Sequence, residues 1–239
     1  MSGRTGILAP PGAIPVPEEP RELTAIRRLV VLMGAEVDRA ITHAVCGLVD
    51  RDLGICAGVI GQRARLRALQ GELRRRCATT GLERDPESAG MREAVALLHI
   101  AAELERIGDH CAAIARIGQE LAALPEPGGH PGLTRMADVC GARAREVLLA
   151  VGTPERSRAL APALRDDRLE RLCRELLGEL AGRLAAEPSS VARATRVLVV
   201  ARLLERIADR VVTIAEDLVL AGAGAVELPG LHAEAVSGR

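Results

Sequence analysis

The sequence predicts an all-α protein built from two tandem three-helix bundles that are related by internal duplication. A charged phrase recurs as "LERIGDH" at 104–110 and "LERIADR" at 204–210, a constant offset (205 − 105 = 100). Around each copy, apolar residues repeat every seven positions, as on the core face of a bundled helix. Hydrophobic residues make up 48% of the chain and aromatic residues are absent. The core must therefore be aliphatic, which suits Leu- and Ala-rich helices better than strands.

The first half of the chain follows the pattern of an arm and three helices. Residues 1–20 are proline-rich and lack periodicity, so they predict a flexible arm. The first bundle is predicted over 21–124. Its segments are a helix from Glu22 to Leu48, a break at 50–54, a helix that ends near Cys77, a loop at 79–88 and a long helix at 89–124.

The second half repeats this plan. The segment "PEPGGHPG", 125–132, predicts a linker, because proline and glycine disfavour helix there. The second bundle is predicted over 133–224 and a flexible tail over 225–239. The predicted helices are 133–150, 162–186 and 191–220, the last preceded by Ser190 as a capping residue.

Acidic residues lie beside the apolar stripe of each long helix. Glu105 and Asp109 are one turn apart and share a face, as do Glu205 and Asp209. Carboxylates so placed repel one another and are stabilised by a shared cation, for which carboxylate oxygens are suitable ligands. An equally simple interpretation is ordinary ion pairing with arginines three positions away. The candidate pairs are Arg106 with Asp109 and Arg202 with Glu205.

Composition and motifs exclude several classes of protein. The formal net charge is zero, which argues against broad nucleic-acid binding. No long uncharged apolar run predicts a membrane span or signal peptide, so we expect a cytoplasmic protein without direct membrane insertion. The chain has no lysine, which excludes a P-loop, and no Glu-x-x-His pair of the ferritin type. The six scattered cysteines predict small buried residues in a reducing compartment.

The two charged phrases and their surroundings resemble the PhoU family of phosphate-signalling proteins. The residues that carry the resemblance are "LERIGDH" (104–110) and "ARLLERIADRVVTIAED" (201–217), supported by "MREAVALLHIAAE" (91–103) and "ALRDDRLERL" (163–172). It extends over roughly residues 21–224. Two copies in register make it specific.

The resemblance implies a fold, a role and a set of metal ligands. The family fold is a pair of three-helix bundles. Its members are similar in role and are cytoplasmic homodimers. They link the ATPase subunit of the phosphate ABC transporter to a sensor histidine kinase and repress the phosphate-starvation response. Some members bind metal clusters, so iron, zinc, manganese or magnesium is the expected cofactor. The implied ligands are Glu105 and Asp109 in the first copy, and Glu205, Asp209, Glu216 and Asp166 in the second.

The first copy departs from the family pattern where the metal would bind. Arg116 replaces the closing glutamate that survives as Glu216, and it lies on the face of Glu105. Arg63 stands where the family commonly has aspartate. Because a guanidinium competes with a cation, we expect the second copy to be the better metal site. Glu103 adds an acid to the first copy, which leaves the question open.

Three functional hypotheses follow. The leading one is a non-enzymatic regulatory adaptor of phosphate transport. The alternatives are a metal-binding helical protein that uses the carboxylate faces and a helical scaffold that has neither metal nor a signalling role.

Overall fold

The computed structural model describes residues 21–79, 89–124, 131–151, 153, 167–187 and 190–222. Six α-helices occupy these residues, and no strand is present in them, so the all-α prediction is confirmed. The helices are α1 (Arg21–Val49), α2 (Leu53–Thr79), α3 (Ala89–Ala122), α4 (Pro131–Leu148), α5 (Arg168–Ala186) and α6 (Val191–Gly222). The predicted arm, the predicted tail and residues 125–130 of the predicted linker lie outside the described residues.

Each half of the chain packs as a three-helix bundle. In the first, α1, α2 and α3 contact one another, and in the second α4, α5 and α6 do the same. The two bundles meet through α1 against α4 and α3 against α6. The predicted duplication of a three-helix unit is therefore seen directly in the packing.

Aliphatic side chains form one continuous core through both bundles. The heptad stripes supply much of it: buried positions include Leu104, Ile107, Cys111, Ile114 and Leu121 of α3 and Leu204, Ile207, Val211, Ile214 and Leu218 of α6. Met33 and Met136, in the first helix of each bundle, are fully buried. The cysteines are all free, four of them buried and two half-buried, as the sequence predicts.

The turn between α1 and α2 fixes the ends of two helices. The Asp52 carboxylate accepts a 2.9 Å hydrogen bond from the Ile55 amide and so caps the start of α2. Arg51 adopts a left-handed backbone conformation with φ of 57°. Its guanidinium donates to the carbonyls of Ala122 and Leu124 at 2.6 and 2.9 Å. These bonds satisfy carbonyls that the end of α3 leaves without helical partners.

None of the described helices combines the length and the apolar character that crossing a lipid bilayer requires.

Two candidate carboxylate clefts

The repeated phrases place their acids on the outer flank of each long helix. Leu104 and Ile107 are fully buried and anchor α3, which leaves Glu105 and Asp109 facing α2 with 23% and 40% of their side chains exposed. In α6 the same packing leaves Glu205 21% exposed beside α5. Each bundle therefore has one acid-bearing cleft next to its middle helix.

Arginines of α2 neutralise both acids in the first cleft, which consists of Arg63, Arg67, Glu105 and Asp109. The Nε and Nη2 atoms of Arg63 both lie 2.5 Å from Asp109 Oδ1. Arg67 donates from Nε to Glu105 Oε1 at 3.3 Å, and its Nη2 lies 4.0 Å from Asp109 Oδ1. The two carboxylates are thus balanced by two guanidinium groups from the neighbouring helix.

The sequence suggested two arginines, Arg63 and Arg116, as competitors of a metal ion in the first cleft. Of these, only Arg63 is described in an ion pair with its acids. Arg63 occupies the first cleft, as its position implied. Arg116 is exposed, and the ion pairs described for Glu105 and Asp109 go to α2. Arg116 is two to three turns further along α3, which is too far for the close contacts that α2 provides.

Two neighbouring residues also differ from expectation. Arg106 pairs with Glu103 at 2.6 Å and not with Asp109. Glu103 itself faces α6, where Arg210 approaches to 3.1 Å, so it does not enlarge the first cleft. The i,i+3 pair between Arg202 and Glu205 does form, at 2.6 Å.

The second cleft is an open cavity of about 510 Å³ between α4, α5 and α6. Both apolar and charged residues line it. Its lining consists of Arg143, Asp167, Leu169, Glu170, Cys173, Arg174, Leu177, Arg202, Glu205, Ala208, Asp209 and Val212. Two of the predicted ligands, Glu205 and Asp209, are therefore brought to one cavity.

Cys173 gives this cavity a group that the sequence patterns did not identify as part of a site. The side chain is 2% exposed, and its thiol donates a hydrogen bond to the Glu205 carboxylate. Burial above all, with the hydrogen bond to Glu205 and its negative charge, raises the pKa of the Cys173 thiol to about 11. Glu205 is therefore held between a neutral thiol and the Arg202 guanidinium.

The register of α2 and α5 explains why the clefts differ. Leu66, Gln70 and Leu73 are the buried positions on this part of α2, and Leu169, Cys173 and Leu176 are those of α5. Each pair is separated by the same interval (169 − 66 = 103). With this register, position 166 corresponds to Arg63 and Glu170 corresponds to Arg67. In the part of the second bundle that the structure describes, the acid Glu170 therefore occupies the position that Arg67 occupies in the first.

This correspondence could have been read from the sequence, because both helices carry the same apolar spacing. It requires aligning α2 with α5, whereas the repeated phrase draws attention only to α3 and α6. Arg67 and Glu170 were missed for that reason.

A metal ion needs several donor side chains that lie close together. Across the described ranges, no three His, Cys, Asp or Glu side chains come together in a way that could hold a metal ion. The first cleft does not fit a metal, because both of its carboxylates contact guanidinium groups of α2. In the second cleft Glu205 also pairs with a guanidinium, that of Arg202. In the second cleft Glu205 and Asp209 are present, Glu216 is exposed and is not among the lining residues, and Asp166 lies outside the described residues.

Comparison with known proteins matches both halves of the chain. The family described as PhoU domain matches residues 30–118 and 133–218. A curated relative from Caulobacter vibrioides, named a phosphate-specific transport system accessory protein PhoU homolog, is 30% identical over 199 residues, which are 82% of this chain and 85% of the relative. A relative of the same name from Pseudomonas putida is 27% identical over 196 residues, covering 82% of this chain and 77% of its own.

Solved structures show the same arrangement of helices. The crystal structure of PhoU from Pseudomonas aeruginosa superposes with a TM-score of 0.77 at 24% identity, covering 85% of this chain and 98% of the other. A phosphate transport system regulatory protein PhoU from Streptococcus pneumoniae gives a TM-score of 0.71 at 22% identity, covering 85% and 96%. At these identities the likeness concerns the fold.

Proposed function

Because the chain belongs to the PhoU domain family, we propose that it is an accessory regulator of phosphate transport. The observation that carries the proposal is the match of the family domain to both bundles, 30–118 and 133–218, together with relatives that are named for a phosphate-specific transport system. The match covers 85% of the Caulobacter relative, so the proposal rests on most of that protein's length.

In its finer form, the proposal is a non-enzymatic adaptor in the cytoplasm. The adaptor contacts the ATPase subunit of a phosphate ABC transporter and a sensor histidine kinase, and it represses the phosphate-starvation response when phosphate is plentiful. A homodimer is the proposed assembly. The resemblance of residues 201–217 and 104–110 to the family phrase supports these assignments.

The decisive experiment measures binding and repression in the same host. The purified chain is tested by pull-down against the transporter ATPase and the kinase at high and low phosphate, and its mass in solution is measured by light scattering. A strain that lacks the chain should express a phosphate-starvation reporter even in high phosphate, and the wild-type chain should restore repression. Failure to bind either protein in both conditions, together with an unchanged reporter, would contradict the adaptor and favour the scaffold.

We propose in addition that any metal binding belongs to the second cleft. Its ligands would be Glu205, Asp209 and Asp166, and a bound iron, zinc, manganese or magnesium ion would offset their negative charge. The described side chains do not form a three-donor group, so the proposal depends on Asp166. Glu170, which stands where α2 has Arg67, adds negative charge to the lining of this cavity, which also contains Arg143, Arg174 and Arg202.

Metal content distinguishes the two clefts. Elemental analysis of the purified protein should show metal that is lost in Asp166→Asn and Asp209→Asn and retained in Asp109→Asn. An equal loss in the Asp109 and Asp209 variants would overturn the assignment to the second cleft. A wild-type protein that takes up no metal would contradict metal binding and would leave the scaffold and the metal-free adaptor as the remaining hypotheses.

A further inference from the structure

We propose that Arg63 and Arg67 take the place of a metal cation in the first cleft, so that this bundle holds its paired carboxylates without metal. Glu105 and Asp109 lie one turn apart on α3 and would repel each other if no cation were near. Two guanidinium groups from α2 supply a matching positive charge. The proposal concerns the purified chain only and does not depend on its role in phosphate transport.

Arg63 and Arg67 reach from α2 to the two acids on α3, and Arg67 lies within 4.0 Å of both. Arg63 directs two nitrogen atoms at Asp109 Oδ1, each at 2.5 Å. Arg67 reaches towards both acids, at 3.3 Å from Glu105 and 4.0 Å from Asp109. Each contact crosses from one helix to another. Arg75 and Glu72 differ in this respect, because they pair three residues apart on one helix.

One arginine and one acid of the cleft are partly shielded from solvent. Arg63 is 27% and Glu105 23% exposed, whereas Asp109 and Arg67 are 40% and 57% exposed. A planar guanidinium offers several fixed donors to carboxylate oxygens and stays charged at all relevant pH values. It can therefore stabilise a carboxylate pair permanently, whereas the occupancy of a metal site would depend on the metal concentration.

In the second bundle, different residues stand in the sequence positions that correspond to Arg63 and Arg67. The α5 position in register with Arg67 is Glu170, and the position in register with Arg63 is 166, an aspartate. Exchanging both arginines for these acids would turn the net charge of the first cleft from zero to four negative charges. Such a cleft would require a cation.

The test isolates the first cleft by disabling the second. In a Glu205→Gln, Asp209→Asn background, we expect Mn²⁺ or Zn²⁺ to leave the Tm of the chain unchanged. Adding Arg63→Asp and Arg67→Glu should create a metal-dependent rise in Tm of about 5 °C or more at saturating metal. If this variant is unfolded without metal and folds when metal is added, that result would show the same metal-dependent stabilisation.

The matched control adds the same two charges elsewhere on α2. Arg74→Asp with Arg75→Glu places acids at exposed positions outside the cleft, and no metal-dependent rise is expected. Two results would overturn the proposal. One is a Tm rise in the parent background that Asp109→Asn abolishes. The other is a folded Arg63→Asp, Arg67→Glu protein, judged by circular dichroism, whose Tm does not respond to either metal.

A milder variant covers the case in which the charge reversal never folds. Arg63→Gln with Arg67→Gln removes the guanidinium groups without adding acids. It should lower the Tm, and saturating Mn²⁺ should recover at least half of the loss while leaving the parent unchanged. A loss that Mn²⁺ does not recover would show that the arginines act through packing alone, and the proposal would be wrong.

Discussion

The Arg210 guanidinium on α6 donates a 3.1 Å hydrogen bond to the Glu103 carboxylate on α3, and this pair links the two bundles. Glu103 is 8% exposed and also accepts a hydrogen bond from Arg106. Further along, Arg196 of α6 pairs with Glu120 of α3 at 2.8 Å. The partners occur in opposite order along the two helices, so α3 and α6 run antiparallel.

Removal of Glu103 should weaken this junction more than removal of an exposed partner. Arg210 Nε is already buried without a hydrogen-bond partner, so Glu103→Ala would deprive the same guanidinium of its carboxylate. We expect a loss of about 1–2 kcal/mol in the free energy of unfolding, measured in urea. Glu120→Ala, at a 55% exposed side chain, is the control and should cost less than about 0.5 kcal/mol. Equal losses in the two variants would contradict the role given to Glu103.

His110 should make the protein less stable as the pH falls. Burial lowers the pKa of His110 below its ordinary 6.5, and the positive charges of Arg206 and Arg210 lower it further, against the opposing effect of Asp109 and Glu103. Below pH 6.5 the unfolded chain therefore binds a proton that the folded chain binds less readily. The stability that this histidine contributes is present above pH 6.5 and is lost as the pH falls through the folded-state pKa.

The measurement compares unfolding free energies at pH 7.5 and 5.5. His110→Gln should show a smaller loss of stability between these values than the wild type. His43→Gln, which removes an exposed imidazole of α1, is the matched control. A His110→Gln protein whose stability falls as steeply as that of the wild type would contradict the assignment.

The fold could be predicted closely because the spacing of apolar residues in each long helix indicates which face is buried. Leu104 and Ile107, with their repeats at seven, are buried as the spacing indicates, and α3 and α6 extend to within two residues of their predicted ends. The missing aromatic residues narrow the core to aliphatic side chains, which bundled helices can pack. Local periodicity and composition were therefore sufficient for the architecture.

The charge partners across the clefts were predicted less well, because they depend on how helices are rotated and shifted against one another. The periodicity of α3 places Arg116 on the face of Glu105, and so the sequence suggested it as a competing cation. In the fold, Arg67 on α2 is at the height of Glu105, whereas Arg116 is three turns away. The register between two helices is set by their packing, and the periodicity of one helix alone does not reveal it.

Cys173 should react slowly with thiol reagents even though it lines a cavity. Its thiol pKa is raised to about 11 from 9.0, and because the thiolate is the nucleophile, roughly 100-fold less of it is present near neutral pH. Glu205→Gln removes the negative charge that contributes to this shift, so the labelling rate should increase. The rate is measured at pH 8 with iodoacetamide and peptide mass spectrometry, and Cys46, which is half-buried, provides the internal reference. A rate for Cys173 that Glu205→Gln does not change would show that access alone controls the reaction.

Gly108 should resist replacement by the alanine that the second bundle carries at the same place in its phrase. A Cβ atom at Gly108 would lie inside van der Waals contact of Leu66 Cδ1, and Leu66 is 1% exposed and has little room to move. Overpacking of this kind costs about 1–3 kcal/mol, which exceeds the roughly 1 kcal/mol that alanine gains over glycine in a helix. We therefore expect Gly108→Ala to lower the free energy of unfolding by about 1 kcal/mol.

Two comparisons separate this contact from helix propensity. At Gly58 and Gly61 of α2 an added Cβ meets nothing within 4 Å, so alanine there should stabilise the protein by up to about 1 kcal/mol. Leu66→Ala should relieve the overlap, so the double variant with Gly108→Ala should lose less stability than the two single losses combined. If Gly108→Ala instead stabilises the protein as much as Gly61→Ala, Leu66 is free to move aside. The close approach of α2 to α3 would then not depend on glycine at position 108.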